Sequence, residues 1–266
     1  MNIAGECLYD AAMCGKFTQM MSWGAYVSLA DLLAGESSSG DSRSEVVSPM
    51  RDAFVVRLNP GRVRETARMR WGLVPWWAKD PGIATRCIHA RAETINTAKP
   101  YCDAFRFRRG LIIASEFFES RHVTPTKRDP HRIWPDDGKP VALACIWEHW
   151  RQPHDAALET FAIVTVPANA LIAPVHDRMP AVIAETDWPK WLGETPATAE
   201  KLKALLRPCE VPMHIAPCAC ENLSRCRRIP RYSRTCSDAT LNRNPDFDLR
   251  LVAVGQVSAE LGRHHL

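Results

Sequence analysis

Met13-Cys14-Gly15-Lys16-Phe17 places a cysteine directly after a methionine. With Met13 removed, Cys14 would carry a free α-amine and a thiol on one residue, a pair that reacts with aldehydes. The amine condenses with a carbonyl to an imine, and the thiol closes on the imine carbon to give a five-membered thiazolidine. Ordinary values of about 7.7 for the amine and about 8.5 for the thiol leave roughly a third of the amine unprotonated near neutral pH. An internal cysteine lacks the amine, and the bland reading is one small buried residue among ten cysteines. Further along, Glu119 stands just past the apolar run Gly110–Ser115, where enzymes place acids for proton transfer and where turn residues also collect. Pro174-Val175-His176-Asp177-Arg178-Met179-Pro180 sets three polar groups between two prolines, the mark of a loop held by its neighbours. A His-Asp pair with nothing in range to complete it is not a metal signature. Cys209, His214, Cys218, Cys220 and Cys226 cluster without a C-x-x-C pair, so no metal is expected there either.

Two stretches combine aromatic rings with positive charge. Trp71 to Gly82 is too rich in Pro and Gly for regular structure and holds Trp71, Trp76 and Trp77. Ala104-Phe105-Arg106-Phe107-Arg108-Arg109 interleaves rings with guanidinium groups. Such surfaces stack unpaired nucleobases and hold phosphates, but core packing under a loop accounts for the first equally well, and a solvated basic helix face is the commoner explanation of the second.

These groups need elements to hold them. Residues 18–34 space Met20, Trp23, Val27, Leu29, Leu32 and Leu33 as an amphipathic helix that Gly35 ends, and 35–45 reads as a loop. Ala53–Leu58 and Val63–Trp71 form a hairpin around Asn59-Pro60-Gly61, with Arg62, Arg64 and Arg68 on its outer side. Thr85–Ile95 reads as a strand running into a short helix, Gly110–Ser115 as a short buried strand, and Val123–Lys139 as turns around a strand at Arg132–Trp134. Val141–Trp147 and Leu158–Val166 are strands, 167–173 is helical in character, and Asp187–Gly193 and Thr198–Leu206 are helices.

The chain has 266 residues, 46% of them hydrophobic, enough for one domain of about 200 residues with appendages. No apolar run approaches the length of a membrane span, and residues 1–13 lack the pattern of a secretory signal. Ten cysteines without regular spacing read as reduced thiols in a cytoplasm. A net charge of +4 is compatible with a polyanionic partner without demanding one. Ser224–Cys236 holds Arg225, Arg227, Arg228, Arg231 and Arg234 without one acid, so 217–266 reads as a basic, poorly ordered tail.

Taken in order, Met13–Phe17, Trp71-Gly72-Leu73-Val74-Pro75-Trp76-Trp77, Ala90-Arg91-Ala92-Glu93-Thr94 with Ala104–Arg109, and Pro174–Pro180 resemble the SOS-response-associated peptidase family, also called the abasic-site processing family. The resemblance spans about residues 13–216, leaving 1–12 as a leader, either a propeptide or an artefact of the assigned start. It implies a single α+β domain with a curved, barrel-like, mainly antiparallel β core flanked by short helices, and a groove for single-stranded DNA. It implies DNA-damage repair in which Cys14, made N-terminal, captures the ring-opened aldehyde of an abasic site as a covalent thiazolidine. By the same likeness Glu119 would shuttle protons and His176 would assist ring opening or reversal. DNA contacts would come from Lys16, Trp76, Trp77, His89, Arg91, Arg106, Arg109 and Arg178. His89 stands where the family often has Asn, Ser120 where it has Trp, and Phe118 where Tyr is more usual. No cofactor or metal is implied, and the expectation is a cytoplasmic monomer that joins the nucleoid when bound to DNA. Two other classes stay open: a cysteine peptidase cutting itself between Met13 and Cys14, and a passive binder of single-stranded DNA should the leader stay attached.

Overall fold

The computed structural model describes residues 15–20, 44–124, 127–151 and 157–218. Cys14, the leader, most of the amphipathic stretch at 18–34 and all but the first two residues of the basic tail lie outside these. Eleven strands follow the chain: β1 (Lys16–Met20), β2 (Ser44–Val47), β3 (Asp52–Leu58), β4 (Arg64–Trp71), β5 (His89–Arg91), β6 (Arg109–His122), β7 (Arg128–Pro135), β8 (Val141–Trp150), β9 (Leu158–Pro167), β10 (Arg178–Pro180) and β11 (Met213–Pro217). Three short helices accompany them, α1 (Cys102–Phe107), α2 (Trp188–Leu192) and α3 (Ala199–Lys203). Among the described residues no helix is long and apolar enough to cross a membrane.

Five strands close on themselves. β3 pairs with β4, β4 with β9, β9 with β8, β8 with β6, and β6 returns to β3 through Val56 and Leu111. The β4–β9 and β5–β9 contacts are parallel and the rest antiparallel. Closure leaves no edge and fills the interior with Val55, Met69, Trp71, Ile112, Cys145, Phe161 and Ile163. The expected barrel-like α+β domain is therefore present.

β6 does more than the short strand expected at 110–115. It runs fourteen residues, and beyond Ala114 it leaves the barrel to pair with β1 on one side and β7 on the other. The extra residue Ser115 has no partner between Glu116↔Thr18 and Ala114↔Gln19, and this bulge turns the strand outward. Glu119 thus lies inside a strand, not past its end. Hydrophobic length alone hid this, because the continuation Glu116–His122 mixes charges with Phe117 and Phe118. β1 likewise corrects the start of the expected helix, since Thr18–Met20 are strand residues. Pro167 closes β9 and 168–173 form loop and turns where helical character was expected, 128–135 is a full strand, and β11, unforeseen, pairs with β7.

β1 is fastened twice from its side chains. Thr18 Oγ1 donates to buried Glu116 Oε1 at 2.7 Å, and Glu116 Oε2 accepts from Arg132 Nε. Gln19 reaches β3 as a strand would: its amide donates to Phe54 O at 2.8 Å and accepts from Phe54 N at 2.8 Å.

Where β6 crosses β3, Gly110 allows the close approach. A Cβ there would stand 2.6 Å from Val55 Cγ1 and 3.0 Å from Val56 O. Overpacking of this kind costs about 1–3 kcal/mol, so Gly110→Ala should lower the denaturant midpoint accordingly. An unchanged midpoint would show that the two strands can part there at no cost.

Candidate functional site

β6 and β9 both run antiparallel to β8, so their C-terminal halves leave the barrel at the same end. Most of the residues singled out by type gather there. Glu119 is 2% exposed and faces His131 across β7. Lys16, two residues after Cys14 in sequence, opens β1 opposite Phe118, the neighbour of Glu119. β5 and β10 flank the last residues of β9 on either side: Arg91 pairs with Thr165, and Arg178 with Pro167.

An aromatic stack joins β1 to β5. Buried Phe17 packs on Trp71 at 5.2 Å between centroids, and His89 meets Trp71 edge-on at 5.8 Å. Phe161 of β9 stacks parallel on the same indole at 6.1 Å, while Trp71 Nε1 donates to Ile88 O at 2.8 Å. Trp71 thus forms the common wall of three site-bearing strands. His89 is buried beside it.

His176 closes the turn that begins at Asn169. Asn169 Oδ1 accepts from Ile172 N at 3.0 Å, and Asn169 Nδ2 donates to Cys209 O at 2.9 Å, so the turn is tied to the chain before β11. His176 Nδ1 accepts the Arg178 backbone N–H at 3.0 Å, which leaves the ring proton on Nε2 in the neutral form. The same nitrogen lies 3.1 Å from Asp177 Oδ1, a contact that becomes an ion pair once the ring is protonated.

The two arginines grouped by the resemblance have different surroundings. Arg91 is exposed. Arg178 is buried, forks Glu93 through Nη1 at 2.6 Å and Nη2 at 3.0 Å, and also donates to Thr165 O at 2.7 Å. The Arg178 hydrogen bond holds the Glu93 carboxyl below its ordinary 4.5, against the opposing pull of desolvation. A carboxyl lowered on folding stabilises above its unfolded value, and the contribution fades as pH falls through the folded one. Glu93→Gln should therefore cost stability at neutral pH, with the gap to wild type narrowing as thermal midpoints are taken below about pH 4.5. The Glu93 side chain is 48% exposed, so solvent screening limits the effect to about 1 kcal/mol. A gap that widens on acidification would refute the assignment.

A second group lies elsewhere. After Trp71 the chain turns back, Val74 N donating to Thr160 Oγ1 at 2.9 Å, so Trp76 sits by the N-terminal half of β9. Thr160 and Thr165 are about 16 Å apart along the strand. Trp76 is exposed and its Nε1 donates to Asp103 Oδ2 at 3.0 Å, while Lys99 Nζ lies 4.7 Å over the Trp77 ring. Arg106 is exposed on α1. Arg109 is largely internal, donating to Phe105 O, Arg106 O and Trp191 O, so it caps α1 and ties it to α2. Burial lowers the proton affinity of its guanidinium.

Sequence reasoning passed over the partners of these groups. Glu93 lay in a quoted motif without a role, because its partner Arg178 stands 85 residues further along the chain. The Thr18–Glu116–Arg132 set has no local signal, because its members meet only through strand pairing. Among the described residues no group of three or more His, Cys, Asp or Glu side chains is placed to hold a metal. His214 instead pairs with Asp136 at 2.6 Å, and Cys209 Sγ accepts from Val211 N.

Known proteins resemble the chain in sequence and in fold. The family model described as SOS response associated peptidase (SRAP) matches residues 13–221. The chain is 29% identical over 196 residues to abasic site processing protein YoqW of Bacillus subtilis, covering 74% of this chain and 87% of that protein. It is 32% identical over 200 residues to abasic site processing protein YoaM of the same organism, covering 74% and 86%. A crystal structure of a Bacteroides thetaiotaomicron protein shares the fold with a TM-score of 0.63 at 22% identity, over 76% of this chain and 91% of that one. One from Bordetella bronchiseptica does so with a TM-score of 0.64 at 19% identity, over 77% and 99%.

Proposed function

Because the chain belongs to the SOS response associated peptidase family, we propose that it processes abasic sites in DNA, capturing them covalently in single strands through Cys14. The observation that carries this reading is the convergence of Glu119, His89, Arg91 and His176 at the barrel end where β1 begins, two residues after Cys14. Relatives over most of the chain bear the name abasic site processing protein.

An abasic deoxyribose opens to an aldehyde at C1′. The Cys14 amine adds to that carbon, and the carbinolamine loses water to give the imine. The Cys14 thiolate then bonds to the imine carbon, and the nitrogen takes up a proton, leaving a thiazolidine with no net oxidation. Glu119 supplies and recovers the proton that the departing hydroxyl requires. His176, with its proton on Nε2, donates toward the sugar during ring opening, and Arg91 offers an exposed cation to a phosphate. The domain would be 13–216, acting as a monomer in the cytoplasm, with 217–266 as a basic appendage. A free Cys14 amine arises either from removal of Met13 or from self-cleavage before Cys14.

Incubation of the protein with a single-stranded oligonucleotide carrying one abasic site should give a slow-migrating band on a denaturing gel. If protein whose intact mass proves an N-terminal Cys14 yields no such band, covalent capture is wrong.

A further inference from the structure

Away from the barrel end that holds Glu119, a cleft of about 390 Å³ is lined by Trp76, Asp103, Phe107, Arg108, Glu148 and His149. Trp76 at 58% and Phe107 at 73% are the two most exposed large hydrophobic side chains among the described residues, and both border this one cleft. Both sit on tethered backbone. Trp76 is oriented by its bond to Asp103, and its loop is pinned by Val74 N to Thr160 Oγ1 and by Trp150 Nε1 to Ala78 O at 2.7 Å. Phe107 ends α1, whose last carbonyls accept from Arg109. Rings held out to water on a rigid frame leave a cost unmet until a flat ligand covers them.

The floor is polar. Glu148, with a side chain 2% exposed, accepts from Arg108 Nη2 at 2.6 Å. Asp103 adds a second carboxylate, so the lining carries two negative groups against one guanidinium. A phosphate fits that balance poorly, whereas a flat ring with N–H donors on its edge fits it well. Stacking on an aromatic face with an amino group given to a carboxylate is the chemistry of a splayed nucleobase, and Glu accepts from the cytosine N4 amine.

We infer that the Trp76–Phe107 cleft is a nucleobase-binding site, favouring an amino-bearing base, that holds the DNA strand away from the reaction end of the barrel. This rests on the DNA reading above and adds to it Phe107, Asp103, Arg108 and Glu148. Thymine presents a carbonyl where cytosine presents its amine and is the poorer ligand.

The test measures binding of the full chain to short deoxycytidine and deoxythymidine homopolymers without abasic sites, by fluorescence anisotropy at fixed salt. A stacked base is worth about 1–3 kcal/mol, so Phe107→Ala should weaken binding about 5- to 150-fold, and Phe107→Trp should restore it. Wild type should prefer the cytidine strand, and Glu148→Gln should erase that preference. Equal binding by wild type and Phe107→Ala would overturn the inference. So would a cleft that takes N-acetyl-arginine amide, with loss on Phe107→Ala, while DNA binding stays constant, because the ligand would then be a cationic side chain of a protein partner. Intact-strand binding that depends on Phe107 without any abasic adduct would leave the cleft standing and remove covalent capture. An adduct with no dependence of strand binding on Phe107 would do the reverse.

Discussion

Cys14→Ser should abolish the adduct that survives a denaturing gel. The serine keeps the α-amine, so an imine with the abasic aldehyde still forms and can be trapped by borohydride. What is lost is ring closure, because a hydroxyl near neutral pH offers almost no anion to bond to the imine carbon, whereas a thiol near 8.5 offers a few per cent. Retention of Met13 has a different outcome: the Cys14 amine is tied up in a peptide bond, and no thiazolidine forms. Glu119→Gln separates the steps further. Proton transfer by a positioned acid is worth about 10²–10⁴ in rate, so adduct formation should slow by that factor while its final yield holds. A Cys14→Ser protein that still gave a heat-stable band would remove Cys14 as the nucleophile.

Trp71→Ala should produce the largest loss of stability. The indole is fully buried, contacts Phe17, His89 and Phe161, and bonds to Ile88 O. Emptying such a position costs about 3–5 kcal/mol, a large part of the 5–15 kcal/mol that holds a domain together. At about 2–4 °C per kcal/mol for a chain of this size, the thermal midpoint should fall by roughly 10 °C. The loss should also reach the reaction, because β1, β5 and β9 share this wall. Trp71→Phe refills most of the volume and gives up mainly the hydrogen bond, worth about 1 kcal/mol. Calorimetry of both variants checks the argument, and a Trp71→Ala midpoint within a degree or two of wild type would defeat it.

Much of the fold was legible because neighbouring residues carried it. The 53–58 and 63–71 hairpin, the strands at 141–147 and 158–166, and the helices at 187–193 and 198–206 all follow from short-range pattern and turn chemistry, and each has its counterpart. Glu119 and His176 stood out by type and position. What escaped was whatever depends on pairing distant segments. The second half of β6 is a strand because β1 and β7 flank it, and its own alternation is too polar to announce it. Arg178 looked like a free cation in the sequence, while its fork on Glu93 joins residues far apart in the chain. The division between the Glu119 end and the Trp76 cleft is likewise a matter of strand direction, which composition does not encode.

The parallel contact between β4 and β9 bears on how Cys14 could come to be N-terminal. That contact closes the barrel, and it cannot form until Thr160 and Phe161 of β9 have been synthesised. At 5–20 residues per second, Cys14 emerges roughly ten to thirty seconds before the last residues of β9. Throughout that interval Glu119 and His176 are not yet assembled, so self-cleavage that relied on them would wait until the chain has passed His176. A cellular aminopeptidase working on nascent chains has no such wait. Release of truncated chains stalled before β9 would tell the two routes apart, since only the cellular one can expose Cys14 on them.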